Sequence, residues 1–172
     1  TALIGSTYIG GSGNDGLNNT SVLSNNYGDA FRGEVILDAS GAPIVCTSTQ
    51  STNAPVTAGA AQPVFGGIQD AYFFRMDPTL SNLQWATYHG GNWGESGYGV
   101  QLDSNGEMFF SGGTNSDDFP LTGPSFISAP LGSADGFVVR YGTAGTFLSG
   151  TRLGTSAYDQ CYFIQLNEAD EV

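Results

Sequence analysis

Lysine is absent from this 172-residue chain, and its only basic residues, Arg32, Arg75, Arg140 and Arg152, stand against 16 acids for a formal net charge of −12. Nucleic-acid binding needs a cationic face that displaces counterions from phosphates, and four scattered arginines do not build one. An anionic membrane surface is disfavoured for the same reason. No run approaches the roughly 20 apolar residues of a membrane span, so membrane insertion is not expected. The N-terminus shows no basic segment followed by an apolar one, so any export leader has already been removed. Histidine is nearly missing as well. A Ser-His-Asp or Cys-His machine would have to use His89, which precedes Gly90-Gly91 and reads as an exposed turn residue. The two cysteines, Cys46 and Cys161, are far apart in sequence; one disulfide and two buried thiols both stay open, and with His89 they are too few for a structural zinc site.

What the chain does have is 26 glycines, 11 Phe, 8 Tyr and 2 Trp beside 12% charged residues. That mixture describes many short strands joined by glycine turns, and the Lys-free, Ser/Thr/Asn-rich balance favours an exported protein. The chain also repeats itself. Asp70-Ala71-Tyr72-Phe73-Phe74-Arg75 returns 65 residues later as Asp135-Gly136-Phe137-Val138-Val139-Arg140, and Leu37 to Gly41 returns as Leu102 to Gly106. Ser6-Thr7-Tyr8-Ile9-Gly10-Gly11 matches Ala86-Thr87-Tyr88-His89-Gly90-Gly91 at an offset of 80, and more faintly Gly150 to Thr155 at a further 64. The extra length of the first copy is assigned to an inserted polar loop, residues 12–28, because loops absorb insertions at little entropic cost.

Alternation bounded by turn residues predicts strands over about 83–88, 97–103, 107–113 and 135–141, with Asn105-Gly106 supplying the positive φ angles of a tight hairpin. Pro120, Pro124 and Pro130 break any regular element before the last of these. No segment shows helical periodicity. The expected fold is therefore all-β: antiparallel, four-stranded, blade-like repeats of about 65 residues of the β-propeller type, forming an incomplete ring. The division is 1–80 for the first repeat, 81–145 for the second and 146–172 for the first half of a third. Unfinished edge strands would be completed by further sequence or by another copy of the chain, giving a ring or a filament.

Thr87-Tyr88-His89-Gly90-Gly91, Tyr98 to Gly106, Ser111-Gly112-Gly113-Thr114-Asn115-Ser116-Asp117-Asp118-Phe119-Pro120 and Asp135 to Arg140 together resemble the bacterial seven-bladed β-propeller repeat family, the SBBP-type repeats. The resemblance covers nearly all of 83–142 and most of the first copy, where Asn53-Ala54-Pro55 stands for Asp118-Phe119-Pro120. It implies a large exported bacterial protein of surface or adhesin type, with an extracellular or cell-surface location and no enzyme activity.

Asp117 and Asp118 are the best metal candidates, since oxygen-rich loops suit calcium, although adjacent aspartates more often cap turns. Paired with Glu95 or Glu107 they would also offer the two carboxylates that glycosidase chemistry uses. Trp85, Trp93 and Tyr98 are the candidate sugar-stacking residues, set against core packing as the commoner use. Arg75 and Arg140, equivalent in the repeat, suggest a repeated ion pair with Asp77, Asp70 or Asp135, or a repeated hydrogen bond to backbone, rather than ligand binding. The glycine pairs lack the following helix and the lysine of a phosphate loop, so no nucleotide is expected. No catalytic residue and no obligatory cofactor is assigned. The expected function is a non-catalytic structural or adhesive module whose partners are other blades, copies of itself through edge strands, or surface glycans. The alternatives are a carbohydrate- or calcium-binding module and an accessory domain of an exported hydrolase.

Overall fold

The computed structural model describes Leu3 and residues 5–172, and all its regular structure apart from one 3-10 turn at Asp29–Phe31 is β. Eight strands form two four-stranded antiparallel sheets. The first holds β1 (Glu34–Leu37), β2 (Pro43–Thr49), β3 (Asp70–Met76) and β4 (Leu83–His89); the second holds β5 (Glu95–Leu102), β6 (Met108–Thr114), β7 (Asp135–Tyr141) and β8 (Phe147–Leu153). In both, strands neighbour each other in chain order.

The 65-residue repeat is reproduced bond for bond. Thr49 faces Asp70 and Ile44 faces Arg75 across β2 and β3, just as Thr114 faces Asp135 and Phe109 faces Arg140 across β6 and β7. Even the irregularity at Arg75/Met76 recurs at Arg140/Tyr141. The sheets are phased one strand away from the 1–80, 81–145 and 146–172 division. Residues 83–89, expected to open the second repeat, close the first sheet against β3. Residues 147–153 close the second in the same way.

The hairpin loops differ from expectation in one respect. Gly106 alone takes positive φ (+79°), with Gly106 N–H donating to Asp103 O and Asp103 N–H to Glu107 O, so Asn105 stays in the ordinary region. This is a type I turn closed by a left-handed residue, the three-residue form. Gly41 fills the same place after Asp38, and Asp170, at φ 60°, fills it after Asn167. Residues 167–171 thus fold a turn of the same form. The preceding residues 158–166 run beside the second sheet without joining a ladder, touching it through the Ala134–Tyr158 bridge and the Cys161 N–H to Gly112 O bond.

The principal core lies between the sheets. Ile44, Cys46, Phe73 and Trp85 of the first meet Val100, Met108, Phe110, Phe137 and Tyr141 of the second. The rings of Phe73 and Phe110 stack with centroids 4.1 Å apart. A smaller cluster, Ala54, Tyr72, Phe74, Met76 and Tyr88, is packed on the first sheet by Ile9, Val56 and Phe65. Both cysteines are free: Cys46 is buried against the second sheet and Cys161 lies against Gly136.

The extra residues are 17–31 rather than 12–28. Asp15 bridges Thr49 as Glu95 pairs with Thr114, and the 65-residue offset resumes where Glu34 pairs with Cys46 as Gly99 does with Ser111. Residues 12–16 belong to the repeating frame. The insertion enters where β5 has its bulge, Gly97/Gly99, a point at which the ladder is already interrupted. It is a strap rather than a free loop. Asn18 donates to Tyr98 Oη (3.3 Å) and accepts from Gln69 Nε2 (3.0 Å), Leu23 O accepts from Gln160, and Asn26 donates to Tyr162 Oη.

Phe73→Ala, at the centre of the inter-sheet core, should lower unfolding free energy by about 3–5 kcal/mol in urea titration. Val35→Ala, on an exposed face at 60% accessibility, should stay within about 0.5 kcal/mol of the parent.

Candidate functional site

The chemistry-bearing residues collect where one sheet passes to the next, at Gly90-Gly91-Asn92-Trp93-Gly94. Such a loop turns its N–H groups away from any ladder, and each needs an acceptor. Gly91 N–H donates to Glu95 Oε2 (2.9 Å), Asn92 to Asp118 Oδ1 (2.9 Å), Trp93 to Ser116 Oγ (2.9 Å) and Gly94 to Asn115 Oδ1 (2.8 Å). The Asn115-Ser116-Asp117-Asp118 element is thus the receptor of the preceding Gly-Gly loop. The first copy repeats the pattern: Gly11 N–H donates to Asp15, Ser12 to Asn53 and Gly13 to Ser51 Oγ, each at 2.8 Å. Near the C-terminus Thr155 N–H donates to Asp159 Oδ2 at 2.7 Å.

Behind the Gly90-Gly91 and Gly154-Thr155 loops stands a second carboxylate at the start of a central strand. Asp70 Oδ2 accepts from Gly66 N–H (2.8 Å) and Gln62 Nε2 (3.1 Å), and Asp135 Oδ2 accepts from Leu131 N–H (3.0 Å). Glu95 and Asp70 are fully buried. Burial pushes Asp70 up to about 7 against the N–H groups of Gly66 and Gly67. It also pushes Glu95 up to about 7 against hydrogen bonds from Ser116 and Thr114, with the Asp70 charge adding to the rise.

The position beside these acids differs between junctions. Tyr88 Oη donates to Ser51 O (2.8 Å), whereas Arg152, its equivalent, donates through Nη2 to Ser116 O (2.6 Å) and Asp117 O (3.2 Å) and places Nη1 3.5 Å from Asp135. A neutral hydroxyl and a buried guanidinium thus hold the same carbonyl.

The residues singled out in the sequence take different places. Asp118 caps the Asn92 amide and Asp117 lends its carbonyl to Arg152. Among the described residues, no group of three or more His, Cys, Asp or Glu side chains converges as a metal site. Glu107 pairs with Arg140 on the second sheet, so it does not join Glu95 and Asp118 in one cleft. Trp85 and Tyr98 are buried: Trp85 lies parallel to Tyr141 with centroids 6.4 Å apart, and Tyr98 donates to Gln160 Oε1 (2.5 Å). Trp93 is 53% exposed and offers an open ring.

His89 is not an exposed turn residue but is buried at 1% accessibility, with Nδ1 2.7 Å from Tyr141 Oη. It is the last residue of β4 and faces the second sheet, where desolvation lowers it to about 3 and keeps it neutral. A cavity of about 350 Å³ opens beside it, lined by Gln62, Gly66, Gly90, Asp118 and Phe147. The arginines form the repeated ion pair, but their partners are Asp38 for Arg75 and Glu107 with Asp103 for Arg140, across the hairpin end of each sheet. Sequence reading missed Gln69, Asp70, Glu95 and Arg152 as junction residues. The recurrence of an acid four residues after Gly11, Gly91 and Thr155 was the signal that marks Glu95.

Compared with known proteins, the chain matches no family model and no curated sequence.

Asp118→Asn should be close to neutral, because Asn53 performs the same task in the first copy, whereas Asp118→Ala should cost about 0.5–1.5 kcal/mol. Arg152→Met leaves Asp135 buried without its cation and should cost about 3–5 kcal/mol in chemical denaturation.

Proposed function

We propose that the chain is a non-catalytic structural and adhesive module of β-propeller-type repeats in an exported bacterial surface protein. The observation that carries this reading is the repeated junction, at which the oxygens of Asp15, Ser51 and Asn53, and again of Glu95, Ser116 and Asp118, are occupied by backbone N–H groups. Groups engaged in holding one sheet to the next serve a structural role, and the one histidine is buried among aromatic rings. The partners on this reading are protein: further repeats, or another copy of the chain engaging residues 158–166, whose backbone enters no ladder. Glycan contact is the second reading, favoured by Trp93 with Val64 (71% exposed) and Ile68 (52% exposed) on neighbouring loops.

Antibodies against residues 95–153 should label intact producing cells, and deletion of the gene should reduce attachment to host or abiotic surfaces. Labelling that requires permeabilisation would overturn the surface assignment. On a glycan array, Trp93→Ala should remove any binding that the parent chain displays.

A further inference from the structure

The first sheet junction buries two carboxylates with no cation in direct contact, while at the second Arg152 pairs with Asp135. A Cβ on Gly90 would lie within 2.6 Å of both Glu95 Oε2 and Asp70 Oδ1, so these two oxygens lie within about 5 Å of each other. Glu95 Oε1 accepts from Thr114 Oγ1 (2.6 Å) and Oε2 from Gly91 N–H, but Asp70 Oδ1, in a side chain of zero exposure, has no hydrogen-bond partner. An orphaned carboxylate oxygen aimed at a second buried carboxylate is costly when both are ionised, and a proton on one of them removes the repulsion.

The nearest cation, Arg152, acts on Glu95 from a distance while paired with Asp135, and no other group among the described residues adds a positive charge there. Gln62 and the Gly66 amide hold Asp70 Oδ2, and Tyr88 contributes a neutral hydroxyl. His89, on the adjacent residue, is turned into the inter-sheet core against Phe119, Tyr141 and Phe147. The other acids at these junctions are Asp15, Asp117, Asp118, Asp135 and Asp159, and the guanidinium of Arg152 lies beside Asp135.

We propose that Asp70 and Glu95 form a proton-controlled latch between the two sheets, closed when the pair retains a proton and loosened when both carboxylates ionise. The second junction, where Arg152 replaces the tyrosine, lacks this sensitivity. Because both carboxylates titrate higher in the folded chain than in the unfolded one, folding retains protons that the unfolded chain has released, and stability falls as pH rises towards and through about 7. His89, buried neutral, acts in the opposite sense but only below its unfolded value of about 6.5. Between pH 6.5 and 8.5 the latch contributes a fall, and the buried thiols of Cys46 and Cys161, raised by burial, add a fall of the same sign towards pH 8.5 that parent and variants share.

The test compares the parent chain, Glu95→Gln and Tyr88→Arg by thermal unfolding at pH 6.5, 7.5 and 8.5, with amide exchange at Gly91 referenced to Thr155. The parent Tm should fall by about 3–6 °C across the window, and the Gly91-to-Thr155 exchange ratio should rise by about fivefold or more. Glu95→Gln, which keeps Asp70 and the thiols but removes one carboxylate of the pair, should show about half of the parent's fall in Tm or less and a smaller rise in the ratio, as should Tyr88→Arg if it folds. A parent Tm that stays level or rises from pH 6.5 to 8.5, or an equal fall in Glu95→Gln, would overturn the proposal.

Discussion

Consecutive sheets must be joined by a chain segment that has left one ladder and not yet entered the next, and the N–H groups of that segment have to be satisfied in a half-buried place. In this protein they are satisfied by side-chain oxygens delivered from a loop one strand pair further on. The Gly90–Gly94 segment can follow the path that receives those oxygens because its glycines leave room: a Cβ on Gly91 would collide with Ser116 and Asp118, and one on Gly90 with Glu95 and Asp70. Once the loop is pinned, β5 is placed over β1 and β2, and the faces that carry Phe73 and Phe110 are brought together. The inter-sheet core supplies most of the stabilising burial, but the junction determines which faces meet.

The same arrangement explains how one frame accommodates differences between copies. At the position of Tyr88 and Arg152 the requirement is a donor for the carbonyl of Ser51 or Ser116, and a hydroxyl or a guanidinium meets it. The choice changes the electrostatics of the acids behind the loop without changing the backbone. Gln69 has a similar local freedom. In the first junction its amide links Asn18 of the strap to Glu95 O and Ser96 Oγ, and Ala134 stands in its place in the second.

The insertion 17–31 shows how extra chain is absorbed. It leaves the sheet at a position where the equivalent strand bulges, so no ladder bond is lost on its account. It then returns polar side chains to the second sheet and to residues 160 and 162, with Arg32 over the Tyr162 ring at 4.3 Å. Cation–π and amide contacts of this kind tie the second sheet and residues 158–166 to the strap without adding a strand.

By itself the sequence determined the class and the metre of the fold. Alternation and turn residues located strands near 97–103, 107–113 and 135–141, and the repeat matched Asp70 with Asp135 and Arg75 with Arg140 as equivalent positions, because side-chain period and hydrogen-bond pairing are local properties of a β-strand. Tertiary structure alone decided which sheet Leu83–His89 joins, that His89 and Tyr98 are interior, and that Asp38 and Glu107, rather than Asp77 or Asp70, pair with the arginines. It also decided that the Asn-Ser-Asp-Asp element receives the preceding Gly-Gly loop. Those outcomes depend on contacts between residues from 7 to 80 positions apart, and a repeat reports that two segments are alike without reporting what either one touches.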